Sequence, residues 1–154
     1  NTGELYVCDD NNDRVQVFNK SFPLHHEFGS SIVRNPRDIN LTNDLIIVLD
    51  DYNPCMHLFN ITDYSLLNSI ISRGAGGQIV HSGFFTLDKQ INLILTDYKK
   101  HCIIVFNISG EVIAQFGNAL RSEVEFTYPR GVAIDNENRV VVVSMDKNNS
   151  LQIF

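Results

Sequence analysis

The chain has 154 residues, 44% of them hydrophobic and 10% aromatic, with 12 Lys and Arg against 18 Asp and Glu. That is enough apolar material for a globular core and excludes disorder over most of the length. The longest uninterrupted apolar runs, Leu45 to Leu49 and Cys102 to Phe106, are five residues each, far short of the roughly 18 to 20 of a membrane-spanning helix, so no membrane partner is expected.

The chain opens Asn1-Thr2-Gly3-Glu4, with no cationic or apolar leader, so no signal peptide is legible and the sequence is expected to begin inside a longer one. Leu5 to Asp9 reads as the first strand, the polar run Asp9 to Asp13 as a loop, and Val15 to Phe18 as a second strand. The turn Asn19-Lys20-Ser21 then leads to a third strand ending at Phe28-Gly29. The same order returns with Pro36 to Leu41, Ile46 to Asp50, the loop to Pro54, Met56 to Phe59, the turn Asn60 to Asp63 and a strand closing at Ile71. It returns again with Ser82 to Leu87, Leu93 to Asp97, the loop to His101, Ile103 to Phe106, the turn Asn107 to Gly110 and a strand closing at Phe116. Last come Pro129 to Ile134, Val141 to Met145 and Leu151 to Phe154. Short runs rich in Val, Ile, Leu and Phe between Asp, Asn, Gly and Pro clusters are the rhythm of an all-β chain.

Phe18, Phe59, Phe106 and Phe154 close equivalent strands at spacings of 41, 47 and 48 residues, and a period in the forties marks repeated supersecondary units. Four strands per unit, here labelled a to d from the inside outward, describe a β-propeller blade. The expected division is blade 1 (strands b to d) over 1–30, blade 2 over 31–72, blade 3 over 73–118 and blade 4 (strands a to c) over 119–154, fourteen strands or about three and a half blades.

The runs Asn12-Asp-Arg-Val-Gln-Val-Phe18 and Lys100-His-Cys-Ile-Ile-Val-Phe106 each follow a strand-ending Asp and precede Phe-Gly. With Pro129-Arg-Gly-Val-Ala-Ile-Asp135, they resemble the NHL repeat. The likeness weakens in blade 2, where Pro54-Cys-Met-His57 stands, and in blade 4, where Met145 replaces the Asp. The resemblance implies a propeller, commonly six-bladed, that acts as a non-enzymatic interaction platform without cofactor, for instance recognising substrates within a tripartite-motif-like ubiquitin ligase. The chain is expected to be an arc of such a ring, with self-association through its open terminal blades as the alternative.

In propellers of this connectivity the b-c and d-a loops share one face. That face carries nine cations and nine acids, and the remainder three cations and nine acids. Some NHL propellers bind RNA on a strongly basic loop face, and phosphate contact requires an excess of positive charge. A balanced face therefore points to a protein or peptide partner ahead of RNA. The candidate binding residues are Arg37 and Arg130, repeated at the entrance of strand a, with Arg73, Tyr52, Tyr98 and Lys99 around them, since guanidinium and phenol groups dominate binding hot spots.

No catalytic residue is assigned, because nucleophile-elbow, zincin and phosphate-loop patterns are missing; a fragment of a propeller lyase or hydrolase is the enzymatic alternative. No metal site is assigned either. Asp9, Asp50 and Asp97 read as caps of their own loops through backbone N–H groups, and Cys55-Met56-His57 and His101-Cys102 lack a recognised zinc spacing. Cys8, Cys55 and Cys102 read as free thiols of a reducing, cytoplasmic compartment. The sequons at Asn19, Asn60 and Asn107 occupy one repeated turn position and read as turn chemistry.

Overall fold

The computed structural model describes residues 3–71, 81–117, 126–145 and 150–154. Among the described residues fourteen strands form four antiparallel sheets, all joined in sequence order. The first sheet comprises β1 (Leu5–Asp9), β2 (Arg14–Phe18) and β3 (Leu24–Phe28). The second comprises β4 (Pro36–Leu41), β5 (Leu45–Asp50), β6 (Cys55–Asn60) and β7 (Leu66–Ile71). The third comprises β8 (Ser82–Leu87), β9 (Leu93–Asp97), β10 (Cys102–Phe106) and β11 (Val112–Phe116), and the fourth β12 (Pro129–Ile134), β13 (Val140–Ser144) and β14 (Leu151–Ile153). The strands follow the expected a-to-d order in each sheet. A one-turn 3₁₀ helix over Asp10–Asn12 replaces the simple loop expected there.

The chain divides into two compact units, Asn1–Ile70 and Ile71–Phe154. In the first, Val15, Val17 and Phe28 pack on Val33, Ile46, Val48 and Phe59, which joins the first sheet to the second. Each such side chain contributes about 1.5–3 kcal/mol when fully buried. In the second unit, Ile94, Ile103 and Val105 meet Phe126 and Val142, joining the third sheet to the fourth. The middle strands β5, β6, β9 and β10 are almost wholly buried, which explains the unbroken apolar runs of β5 and β10. The outer strand β3 is exposed except at Phe28.

The c-to-d turns use the Asn side chain as anticipated for this repeated position. The Oδ1 atoms of Asn19, Asn60 and Asn107 accept the N–H of Ser21, Thr62 and Ser109 at 2.8, 2.7 and 3.1 Å. These side chains imitate a backbone turn.

The entrance of strand a carries a feature that places the candidate site. Pro36 pairs with Asp50 but Asp38 with Leu49, and Pro129 pairs with Ser144 but Gly131 with Val143. Arg37 and Arg130 are therefore the extra residues of two equivalent β-bulges, and a bulge re-aims the side chain it carries.

Candidate functional site

Each unit presents its own cationic and aromatic group. In the second unit the bulge residue Arg130 lies with its guanidinium 4.2 Å from the centre of the Tyr98 ring, within cation–π range. Tyr98 in turn tilts against His81 at 5.6 Å, and His81 Nε2 lies 2.6 Å from the exposed Lys99 Nζ. The backbone fixes this cluster: Tyr98 N–H donates to His81 O at 3.2 Å, and the buried Thr96 hydroxyl donates to Arg130 O at 2.8 Å. Among the described residues no carboxylate pairs with the Arg130 guanidinium, and its Nε is buried without a hydrogen-bond partner.

The first unit builds its version differently. Arg37 donates to Asp51 Oδ2 at 2.6 Å, while Tyr52, 66% exposed, lies under Arg34 at 5.4 Å rather than under Arg37. Of the six residues singled out from sequence, Arg130, Tyr98 and Lys99 thus come together around His81. Arg37 and Tyr52 belong to the other unit with separate partners, and Arg73 lies outside the described residues. His81 and Arg34 escaped sequence reasoning because neither sits at a repeated motif position; each is placed by a loop that hydrogen-bonds to the neighbouring b-c hairpin.

The strand-ending aspartates divide into two kinds. Asp50 Oδ1 accepts the N–H of Tyr52 and Asn53, both at 2.9 Å, and Oδ2 that of Arg34 at 2.8 Å. Asp97 Oδ1 accepts Lys100 N–H at 3.0 Å. Both cap their loops as expected. Asp9 does not: it holds the side chains of Asn12 at 2.8 Å and Arg14 at 2.9 Å. The 3₁₀ turn after Asp9 instead directs Asn11 N–H to the carboxylate of Asp10 and Asp13 N–H to its carbonyl. The hydrogen bond from Asn12, then that from Arg14, holds the Asp9 carboxyl below its ordinary range.

Arg14 bridges Asp9 and Glu27 at 2.9 and 2.7 Å. The repeat-equivalent positions to Arg14 are Cys55 and Cys102, so the second and third sheets bury a thiol where the first has a charge. In the second sheet this thiol has company. Cys55 Sγ and Asp50 Oδ2 each lie 3.3 Å from His57 Nε2, and His57 Nδ1 meets Ser69 Oγ at 2.9 Å. Asp50, Cys55 and His57 are buried and Ser69 is half-buried. Burial, then the Asp50 charge, pushes the Cys55 thiol up to about 12, which favours the protonated thiol over the thiolate. The thiols of Cys8, Cys55 and Cys102 are all free. His101, at the motif position, accepts Tyr128 N–H on Nδ1 at 3.1 Å and packs edge-on against its ring.

No protein-family model matches the chain, and no curated protein sequence matches it. Solved structures are similar. A catalytically inactive virginiamycin B lyase from Staphylococcus aureus with quinupristin superimposes with a TM-score of 0.68 at 14% identity, over 99% of this chain and 52% of the lyase. The WD40 β-propeller domain of Doa1 gives 0.74 at 9% identity, over 99% of this chain and 47% of that one. Glutaminyl cyclase from Myxococcus xanthus gives 0.66 at 8% identity, over 98% and 69%. The chain spans about half the length of the lyase and of the WD40 domain. With its four antiparallel sheets, this defines the chain as a β-propeller fold, one used by binding domains and by enzymes alike. Among the described residues no helix is long and apolar enough to cross a membrane.

Proposed function

We propose that this chain is a non-enzymatic recognition segment of an NHL-type propeller, presenting its b-c and d-a loops to a protein or peptide partner within a larger protein such as a ubiquitin ligase. The observation that carries this reading is the Arg130–Tyr98 stack beside His81 and Lys99. A guanidinium is re-aimed by a bulge, held by its own carbonyl and left without a carboxylate among the described residues. Stacked Arg and Tyr lose little side-chain freedom on binding and recur at hot spots. A preformed cation offered without its own counter-charge suits an acidic or carboxylate-bearing peptide.

The test is a peptide-display selection on the chain, with the recovered peptides remeasured on Arg130→Ala and Tyr98→Ala. Each substitution is expected to weaken binding by about 30-fold, equivalent to about 2 kcal/mol at a hot spot, with the strand circular dichroism unchanged. Peptides that bind both variants as tightly as the parent chain overturn the assignment. Tight binding of single-stranded RNA with a steep loss on adding salt would replace the peptide by a nucleic acid.

A further inference from the structure

We propose that Asp50, Cys55 and His57 form a zinc-class metal site inside the second sheet, with Ser69 orienting the histidine. The strand register builds it. Asp50 pairs directly with Cys55 at the end of the β5–β6 hairpin, and the two-residue period of β6 puts His57 on the same face as Cys55. One carboxylate oxygen, one sulfur and one imidazole nitrogen then lie within 4.8 Å of one another, with Nε2 at 3.3 Å from each of the other two.

Two of the three separations, from Nε2 to Sγ and from Nε2 to Oδ2, match those of ligands around a shared ion. A tetrahedral zinc with bonds of about 2.0–2.1 Å to nitrogen and oxygen and about 2.3 Å to sulfur sets its donors about 3.3–3.6 Å apart. As a direct hydrogen bond, by contrast, the 3.3 Å between Nε2 and Oδ2 exceeds the usual 2.7–3.2 Å. Ser69 Oγ can accept the Nδ1 proton, leaving the Nε2 lone pair facing the site, the outer-shell arrangement common to metal-bound histidines.

Charge agrees with geometry. Asp50 and His57 are buried, and among the described residues no Lys or Arg side chain pairs with Asp50. A dication with one carboxylate, one thiolate and a neutral imidazole sums to zero, so the ion adds no net charge to a buried group whose carboxylate is otherwise held by backbone N–H donors. Binding releases the Cys55 thiol proton to solvent as the metal–sulfur bond forms, with no change in oxidation state. Three protein donors leave a fourth position for water.

The probe is cobalt(II), added to the reduced, metal-stripped 154-residue chain and then displaced by zinc. The expected result is one cobalt per chain, with a thiolate-to-cobalt charge-transfer band in the near ultraviolet and visible bands of tetrahedral intensity, bleached by one equivalent of zinc. Cys55→Ser and His57→Gln should lose the charge-transfer band, and Ser69→Ala should bind about 10-fold more weakly. Cys8→Ser and Cys102→Ser should retain it. Circular dichroism establishes that each variant is folded, and a zinc-dependent rise in melting temperature, present in Cys102→Ser and lost in Cys55→Ser, provides a second reading. A folded parent chain without the thiolate band, or a band that survives Cys55→Ser, overturns the site.

Discussion

Asp50 is fully buried, yet three amide hydrogens converge on its carboxylate, from Arg34 before strand β4 and from Tyr52 and Asn53 in the hairpin after β5. Hydrogen bonds to a charged acceptor contribute about 1.5–3 kcal/mol each, and their loss leaves buried donors unsatisfied. Asp50→Ala is therefore expected to destabilise the metal-free chain by about 3 kcal/mol or more, read from urea unfolding. Asp50→Asn, which keeps acceptor capacity on only one of its two side-chain termini, should fall between the two. The cysteines make a separate, pH-dependent contribution. Burial pushes Cys8 and Cys55 up to about 12 and Cys102 to about 11, with nearby aspartates adding to each shift. Below the ordinary thiol value of 9, folded and unfolded chains both keep these protons. Above it the unfolded chain releases protons that the folded chain retains, so stability falls as pH rises, by about 1 kcal/mol per thiol between pH 9 and 10. Urea midpoints measured across that window with chelator present should drop steeply in the parent chain, and more shallowly in Cys55→Ser and Cys102→Ser. A midpoint independent of pH would show that the thiols are not buried as described.

Strand β8 positions the recognition cluster through a single close approach. A Cβ added at Gly83 would stand 2.3 Å from Thr96 Oγ1 and 2.8 Å from the Arg130 carbonyl oxygen, the two atoms whose hydrogen bond holds the bulge of β12. Overpacking of this kind costs about 1–3 kcal/mol. Gly83→Ala should lower stability by about 2 kcal/mol and weaken peptide binding, although position 83 is itself buried. Adding Thr96→Ala should recover only part of the stability, because the backbone contact remains. The same elements show what sequence can and cannot reveal. Strands β1, β4, β8, β9 and β12 begin and end at the residues their Asp, Pro and Ser punctuation indicates, since local turn chemistry and apolar runs decide where a strand stops. The bulges at Arg37 and Arg130 were not legible, because a bulge is a property of pairing between strands. For the same reason Asp50, Cys55 and His57 did not read as one group. Spacings drawn from known zinc motifs miss a hairpin register, though the alternation Cys55-Met56-His57 after a strand-ending Asp was the signal available. The departure of Asp9 from its capping role arose from a 3₁₀ turn that recruits Asp10 instead.

Among the described residues the sheets of three, four, four and three strands leave β1 and β14 as edges where a propeller blade of four strands would continue. Leu5 and Val7 on β1 are 48% and 37% exposed, and Leu151 and Ile153 on β14 are 61% and 52% exposed. Apolar strand edges with unpaired backbone groups are templates for pairing with another chain, and Lys on such an edge blocks it. Light scattering of the chain, 17.5 kDa as a single copy, is therefore expected to show a mass that rises with concentration. Val7→Lys and Leu151→Lys together should lower that mass toward one copy without reducing strand content. A discrete folded oligomer that the lysines dissolve would mean that copies of the chain complete each other's blades, and the recognition cluster should then be mapped on that ring. A polydisperse product that the lysines suppress would mean that β1 and β14 need strands from a longer protein, so peptide affinity should be measured there. A single-copy mass at every concentration would show instead that neither edge recruits a second copy, and would refute self-association through the open blades.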